Sequence, residues 1–259
     1  MTAEYWGNFM TDQVIVTDDG PVRLIRMNRP EKKNALTSAM YDAMAEAIET
    51  ASGASPIRCI VIAGAPGAFS AGNDLGDFMK AATGGEGLGN AVLRFLYALA
   101  RAERPLVAAV QGVAVGIGTT MMLHCDYAVA ASDARFSTPF VALGLVPEAA
   151  SSLIAPRLMG HRRAFELLVM GKPLSGEEAK AAGLINQVAP AGEVEAEAMK
   201  AAQAIAALPP EGVAISRRLM KGAPDEVVKR IDEEAAAFKQ RLGSPEAREA
   251  FTAFFARKK

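Results

Sequence analysis

The chain has 259 residues, enough for one large domain with a substantial buried core. Lys and Arg number 28 against 29 for Asp and Glu, so the sequence lacks the basic excess of a nucleic-acid binder. With 51% hydrophobic and 22% charged residues it is a folded chain, and its two cysteines, Cys59 and Cys125, are too few for a disulfide framework and read as small buried hydrophobes.

The first residues, MTAEYWGNFMTDQ, carry neither a basic leader nor an apolar run, so no secretory signal is expected. Val14 to Thr17 and Val22 to Met27 flank DDGP and predict a hairpin. NRPEKKNALT reads as a polar loop. Ser38 to Ala51 follows as a helix, with Met40, Met44 and Ile48 on one face. IRCIVIAG is a short apolar run of the kind found in a fully buried strand, and it opens into the glycine-rich turn GAPGAFSAGNDL.

The pattern then recurs. GGEGLG, residues 84–89, predicts a mobile segment. Ala91 to Arg101 predicts a helix with Leu93, Leu96, Tyr97 and Ala100 on one side. RPLVAAVQG is a second buried strand, GVAVGIG a second glycine turn, Thr119 to His124 a helix, DYAVAAS a third strand and ARFSTP a short fourth. Glycines and Gln111 interrupt the apolar run Leu106 to Leu123, which therefore predicts strand, turn and helix rather than a membrane span. Repeated strand, turn and helix units predict an α/β fold. Ser175 and Glu178 mark a capping box at the start of a helix that Gly183 ends, and beyond Gly192 the chain is almost wholly helical through Arg257.

Neither glycine turn gives G-x-G-x-x-G or GK[ST], so a nucleotide-phosphate site is not supported. The turns serve equally well for close backbone packing or for presenting free N–H groups to an oxygen that becomes negative. His124 and His161 have no partners at metal-ligand spacing, and His124 packs at a helix end. Most carboxylates fall in evident surface helices. Asp74, Asp126 and Glu148 are flanked by apolar sequence. Asp74 and Asp126 suit local turn acceptors. Glu148, in LGLVPEAASS, follows Pro147 at what reads as a helix start, where an acid complements the macrodipole. The alternative is a catalytic base.

NRPEKKNALT, GAFSAGNDL, RPLVAAVQGVAVGIGTTMMLHCDYAVAASDARFSTPF, LGLVPEAASS and GKPLSGEEAKAAGLINQV together resemble the crotonase (enoyl-CoA hydratase/isomerase) superfamily, over about residues 12–257. The resemblance implies an α/β, crotonase-like spiral of ββα units over residues 1–195 and a helical C-terminal trimerisation region over 196–259. It implies an acyl-CoA thioester substrate, whose coenzyme A belongs to the substrate, with no further cofactor and no metal, and a homotrimer or dimer of trimers. By position, the backbone N–H groups of Asn73 and Ile117 would form an oxyanion hole. Ala71, Asp74, Leu75, Phe140, Phe254 and Arg257 fall at substrate-binding positions, with Phe254 and Arg257 reaching the adenosine-phosphate end of a CoA on a neighbouring subunit. Phe78, Met79, Leu93, Leu96 and Phe140 suit acyl-pocket walls and, equally, core.

Two departures matter. The family's hydratases place glutamates where this chain has Thr120 and Phe140, and glycine where it has Glu148. The arrangement TPF..LG..PE..SS resembles the delta-3, delta-2 enoyl-CoA isomerase branch, close to the peroxisomal type, in which the glutamate at this position is the single acid–base. Moving a double bond from C3–C4 to C2–C3 takes a proton from C2 and returns one at C4, and a single carboxylate between them can serve both. Two further readings stay open: a single-glutamate hydratase and a non-catalytic acyl-CoA binder. An apolar setting raises the pKa of Glu148 whereas a helix start lowers it, and the sequence leaves the winner open. The expected location is cytoplasmic, with no membrane or nucleic-acid partner.

Overall fold

A computed structural model describes residues 11–74, 76–77 and 87–256. The strands are β1 (Val14–Asp19), β2 (Val22–Met27), β3 (Cys59–Gly64), β4 (Leu106–Val110), β5 (Val113–Val115), β6 (Tyr127–Ala131), β7 (Arg135–Ser137), β8 (Leu174–Ser175) and β9 (Gln187–Ala189). The expected hairpin is β1–β2, with Val14 opposite Met27. β2, β3, β4, β6 and β9 continue from it as a parallel sheet. A second sheet orders β5, β7 and β8.

Two passes of the chain lay a strand in the first sheet and the next in the second before turning back through helical residues. β4 leads into β5 and β6 into β7, and β5 and β7 pair in parallel. This is the expected spiral of ββα units. The residues between Ala68 and Asn73 belong to the same pattern, since Ser70 bridges Ala114 and Asn73 bridges Leu36.

The helices are α1 (Ser38–Glu49), α2 (Asn90–Arg101), α3 (Ile117–Thr120), α4 (Ser151–Met159), α5 (His161–Leu168), α6 (Gly176–Ala181), α7 (Val194–Ala206), α8 (Pro210–Lys221), α9 (Pro224–Leu242) and α10 (Pro245–Ala256). Every side chain of β4, and all of β3 but Gly64, is buried, the mark of parallel strands covered on both faces. One cover is α7, which packs across β2, β3, β4, β6 and β9, so the chain beyond residue 195 begins by closing the core. α1 starts where Thr37 accepts from the Met40 N–H, and it buries Met40, Met44 and Ile48 as expected, with Tyr41 beside them. Ser175 and Glu178 form the expected capping box.

The expected helix α2 forms, with Leu96 in the core and Leu93, Tyr97 and Ala100 of the same side packed against it. It also buries Val92, Phe95 and Leu99. Tyr97 is only partly buried, and its hydroxyl reaches Asp232 on α9. One expectation is corrected: Pro147 and Glu148 do not begin a helix, and α4 starts at Ser151. Phe78, Met79 and residues 84–86 of the segment expected to be mobile lie outside the described residues.

Candidate active site

The loop leaving β3 is stitched down almost completely. The N–H groups of Phe69 and Ser70 donate to Val113 O, that of Ala71 to Lys33 O, that of Gly72 to Ser70 Oγ and that of Asp74 to Leu36 O. Only the Asn73 N–H, in the middle of that run, has no acceptor among the described residues, and backbone donors are rarely left so. Gly72 sits at φ 88°, and a Cβ there would stand 2.8 Å from Val115 O, so glycine lets the first loop lie against the second.

The second loop repeats the arrangement. Gly116 N–H donates to Ser137 O, and Thr119 and Thr120 N–H donate to Gly116 O. Ile117 and Gly118, in the first turn of α3, have N–H groups with no acceptor among the described residues, as helix starts do. The first side chain of this pair of loops is also fixed: the buried Tyr41 hydroxyl donates to Asn73 Oδ1 at 2.5 Å. Burial, with the nearby Glu148 charge adding to it, holds the Tyr41 phenol well above its usual range, so it stays a donor.

Glu148 is 2% exposed, and the Thr120 hydroxyl donates to its Oε1 at 2.5 Å. Burial pushes its pKa up to about 8, opposed by the Thr120 hydrogen bond and reinforced by the negative charge of Glu234. The contest left open by the sequence is therefore won by the apolar setting. After Glu148 the backbone enters the left-handed region twice, at Ala149 (φ 62°) and Ala150 (φ 55°). Such residues cost on the order of 1 kcal/mol each and persist only where surrounding contacts hold them. One holder is His124, whose Nε2 lies 2.8 Å from Ala149 O. Burial drives the His124 pKa down to about 4, so the imidazole is neutral and Nε2–H is the donor.

A cavity of about 650 Å³ opens beside the two loops. Ala71, Asn73, Asp74, Phe140 and Phe254 line it, with Gly116 of the second loop and Phe238 and Phe251 of the C-terminal helices. Ile117 follows Gly116 but does not line the cavity, and neither does the enclosed Glu148. Phe140 is thus a cavity wall, whereas Leu96 is core and Leu93 is only partly buried against it. Phe254 lines the cavity of its own chain. Leu75 and Arg257 lie outside the described residues. Asp74 is a local turn acceptor as expected, taking the Gly76 and Asp77 N–H groups and pairing with Arg29 at 2.7 Å. Asp126 is not: it accepts from the distant Leu106 N–H and pairs with Arg217 at 2.8 Å and Lys221 at 3.1 Å on α8.

The residue that the sequence reading passed over is Glu234. It is 7% exposed on α9 and accepts from the Ser152 N–H at 2.9 Å, beside Glu148. The signal was present: Ile231, Phe238 and Leu242 form the buried stripe of α9, and Glu234 falls on it. Among the described residues no cluster of His, Cys, Asp or Glu could hold a metal ion. No described helix is long and apolar enough to cross a membrane.

The profile of the "Enoyl-CoA hydratase/isomerase" family matches residues 17–259. Enoyl-CoA delta isomerase 2 of Rattus norvegicus is 38% identical over 250 residues, which cover 95% of this chain and 64% of that protein, so the chain spans under two thirds of that relative's length. 1,2-Epoxyphenylacetyl-CoA isomerase of Escherichia coli K12 is 32% identical over 92% of this chain and 93% of its own length. Among solved structures, an enoyl-CoA hydratase/isomerase from Pseudoalteromonas atlantica T6c superposes with a TM-score of 0.90 at 39% identity, covering 95% of this chain and 98% of that one.

Proposed function

The chain belongs to the enoyl-CoA hydratase/isomerase family, and from that premise we propose that it moves the double bond of a 3-enoyl-CoA to the 2-position, as in fatty-acid β-oxidation. The observation that carries this reading is Glu148: an enclosed carboxylate, held by Thr120, with its pKa raised to about 8. A carboxylate with that pKa is a stronger base than an exposed one, and once protonated it is still acidic enough to give the proton back. Glu148 would take the proton from C2 and return it at C4. The dienolate between these steps carries its charge on the thioester oxygen, and the Asn73 and Ile117 N–H groups are the donors proposed for it. Hydration by the family's two-glutamate route is disfavoured because Thr120 and Phe140 stand where those acids would be.

The reading requires the acyl chain to reach past the cavity lining to Glu148. The cavity walls suit such a chain, being largely apolar at Phe140, Leu143, Leu145, Phe238, Phe251 and Phe254. Incubation with a 3-enoyl-CoA, following the conjugated 2-enoyl thioester and any 3-hydroxyacyl-CoA, tests the proposal. Hydroxyacyl product without isomerisation, or binding without turnover, would reject it. We further propose a homotrimer: α8 buries no residue and leaves Ile215, Leu219 and Met220 exposed, apolar surface that suits a subunit contact. Sedimentation tests this, and a monomer would refute it.

A further inference from the structure

We propose that Glu234, from the C-terminal helix α9, is a positioning residue that caps α4 in trans and thereby fixes the catalytic loop carrying Glu148. The proposal rests on the role assigned to Glu148 above, and it adds a second carboxylate that this role does not use.

The argument starts from a missing cap. The first turn of a helix leaves N–H groups unpaired, and a polar side chain at the N-cap ordinarily accepts one of them. The N-cap of α4 is Ala150, which has no oxygen to offer and sits in the left-handed region at φ 55°. Glu234 Oε1 supplies the acceptor instead, at 2.9 Å from the Ser152 N–H, and the Ala150 N–H faces the same carboxylate. Arg230, one turn back on α9, donates to Ser152 Oγ at 3.2 Å. Two side chains of α9 thus grip the residue four positions after Glu148.

That grip bears on Glu148 because of what lies between. Ala149 and Ala150 are both strained, and the Ser151 N–H donates back to Glu148 O at 3.1 Å. The turn is held at one end by His124 on Ala149 O and at the other by Glu234. Release of either end would let the strained residues relax and swing the Glu148 side chain away from Thr120.

Glu234 also acts through charge. Its Oε2 is buried with no hydrogen-bond partner among the described residues, so N–H donors only partly spread its charge. Among the described residues, the ionisable groups around this turn include His124, which is neutral and bonded to Ala149 O. Arg230 faces Glu234 from the same helix, and Glu234 and Tyr41 of α1 face Glu148. From the neighbouring α2, Tyr97 engages Asp232 rather than Glu234, and at the α10 end of α9 Arg241 engages Glu246. A negative Glu234 therefore makes Glu148 harder to ionise, in the same direction as burial.

The test uses the full chain with carboxyl-¹³C glutamate, the Glu148 signal being the one lost in Glu148→Gln. Glu234→Gln keeps an acceptor for Ser152 but removes the charge, and Glu234→Ala removes both. The Glu148 midpoint should fall in Glu234→Gln. With 3-enoyl-CoA, kcat should fall about 10–100-fold in Glu234→Ala at nearly constant KM and recover to within about threefold in Glu234→Gln. An unmoved Glu148 midpoint in Glu234→Gln overturns the proposal whether or not the chain isomerises 3-enoyl-CoA. A Glu234→Ala enzyme with wild-type kcat, alongside an inactive Glu148→Gln, overturns it while leaving the isomerase reading intact. A wild-type chain that does not isomerise rejects that reading and leaves the titration to decide.

Discussion

The Thr120 hydroxyl stands 2.5 Å from Glu148 Oε1 and is the one hydrogen-bond donor to that carboxylate among the described residues. A bond to the charged form favours ionisation, so Thr120 partly offsets the burial that raises the pKa of Glu148. Thr120→Val keeps the shape and removes the donor. A hydrogen bond to a charged group contributes about 1.5–3 kcal/mol, so kcat/KM at neutral pH should fall about 10–100-fold. The acid limb of the pH profile should move to higher pH. A limb that stays in place would show that the hydroxyl does not tune Glu148.

Glu148→Gln preserves size and polarity but cannot accept a proton from C2. Isomerisation should fall by about 10²–10⁴, the range for loss of a general base. Acyl-CoA binding should persist, since the cavity lining does not include this side chain. Single-turnover assays with calorimetric binding measure both. Activity within tenfold of wild type would remove Glu148 from the mechanism.

The raised pKa gives two opposite pH trends. As the base must be ionised, kcat/KM should climb with pH and level off above about 8. Stability should run the other way. In the unfolded chain the carboxyl ionises near 4.5, whereas in the folded chain it holds its proton up to about 8. Its contribution is therefore fully present below pH 4.5 and is lost as the pH rises through 8. Melting curves of wild type and Glu148→Gln should converge near pH 4.5 and separate by pH 9, with the glutamine variant the more stable. Parallel curves across that range would contradict the burial argument.

Much of this was legible in the sequence because apolar period and glycine placement are local signals. The runs CIVIAG and LVAAV became buried parallel strands, and Met40, Met44 and Ile48 became the inner face of α1. Glu148 stood out as a lone acid in an apolar run, but a helix start explained it equally well until LGLVPEAASS was set beside the isomerase branch. What failed were features set by distant chain. The start of α4 slipped to Ser151 because His124 and Glu234 stabilise a left-handed pair of alanines that no local rule favours. Tyr41 carries no local signal of a role, and only folding brings its hydroxyl to Asn73, 32 positions away. Glu234 is one of many acids on a helix rich in charge, and only its place on the stripe of Ile231, Phe238 and Leu242 sets it apart.

Ile117→Pro tests the second loop. Proline lacks the N–H, and at the first residue of a helix its fixed φ is tolerated, so the helix itself should survive. Loss of one oxyanion donor should lower kcat about 10²–10³-fold. Ile117 is 1% exposed, so Ile117→Val serves as the packing control and should retain most activity. Equal activity in the proline and valine variants would remove this N–H from the site.

The C-terminal wall of the cavity can be moved without touching a residue that lines it. Gly144 sits at φ 72°, and a Cβ there would stand 2.7 Å from Ala247 Cα and 2.8 Å from Ala247 N, backbone atoms of α10. Gly144→Ala must therefore shift the turn at residues 143–145 or lift α10. The first carries Leu143 and Leu145, the second Phe251 and Phe254, and all four line the cavity. Whichever yields, the wall loosens, and acyl-CoA affinity should fall at least about tenfold, the loss expected for roughly 1.4 kcal/mol of binding energy. The substitution also forces alanine into the left-handed region, at about 1–2 kcal/mol. Gly222→Ala is a clash-free control, with φ 76° and nothing within 4 Å of the added methyl, and its ψ of −169° makes its backbone cost at least as large as that at Gly144. Both variants should melt below wild type, and only Gly144→Ala should lose affinity. If calorimetry finds the two binding acyl-CoA equally well, α10 packs against the chain without forming the substrate's wall.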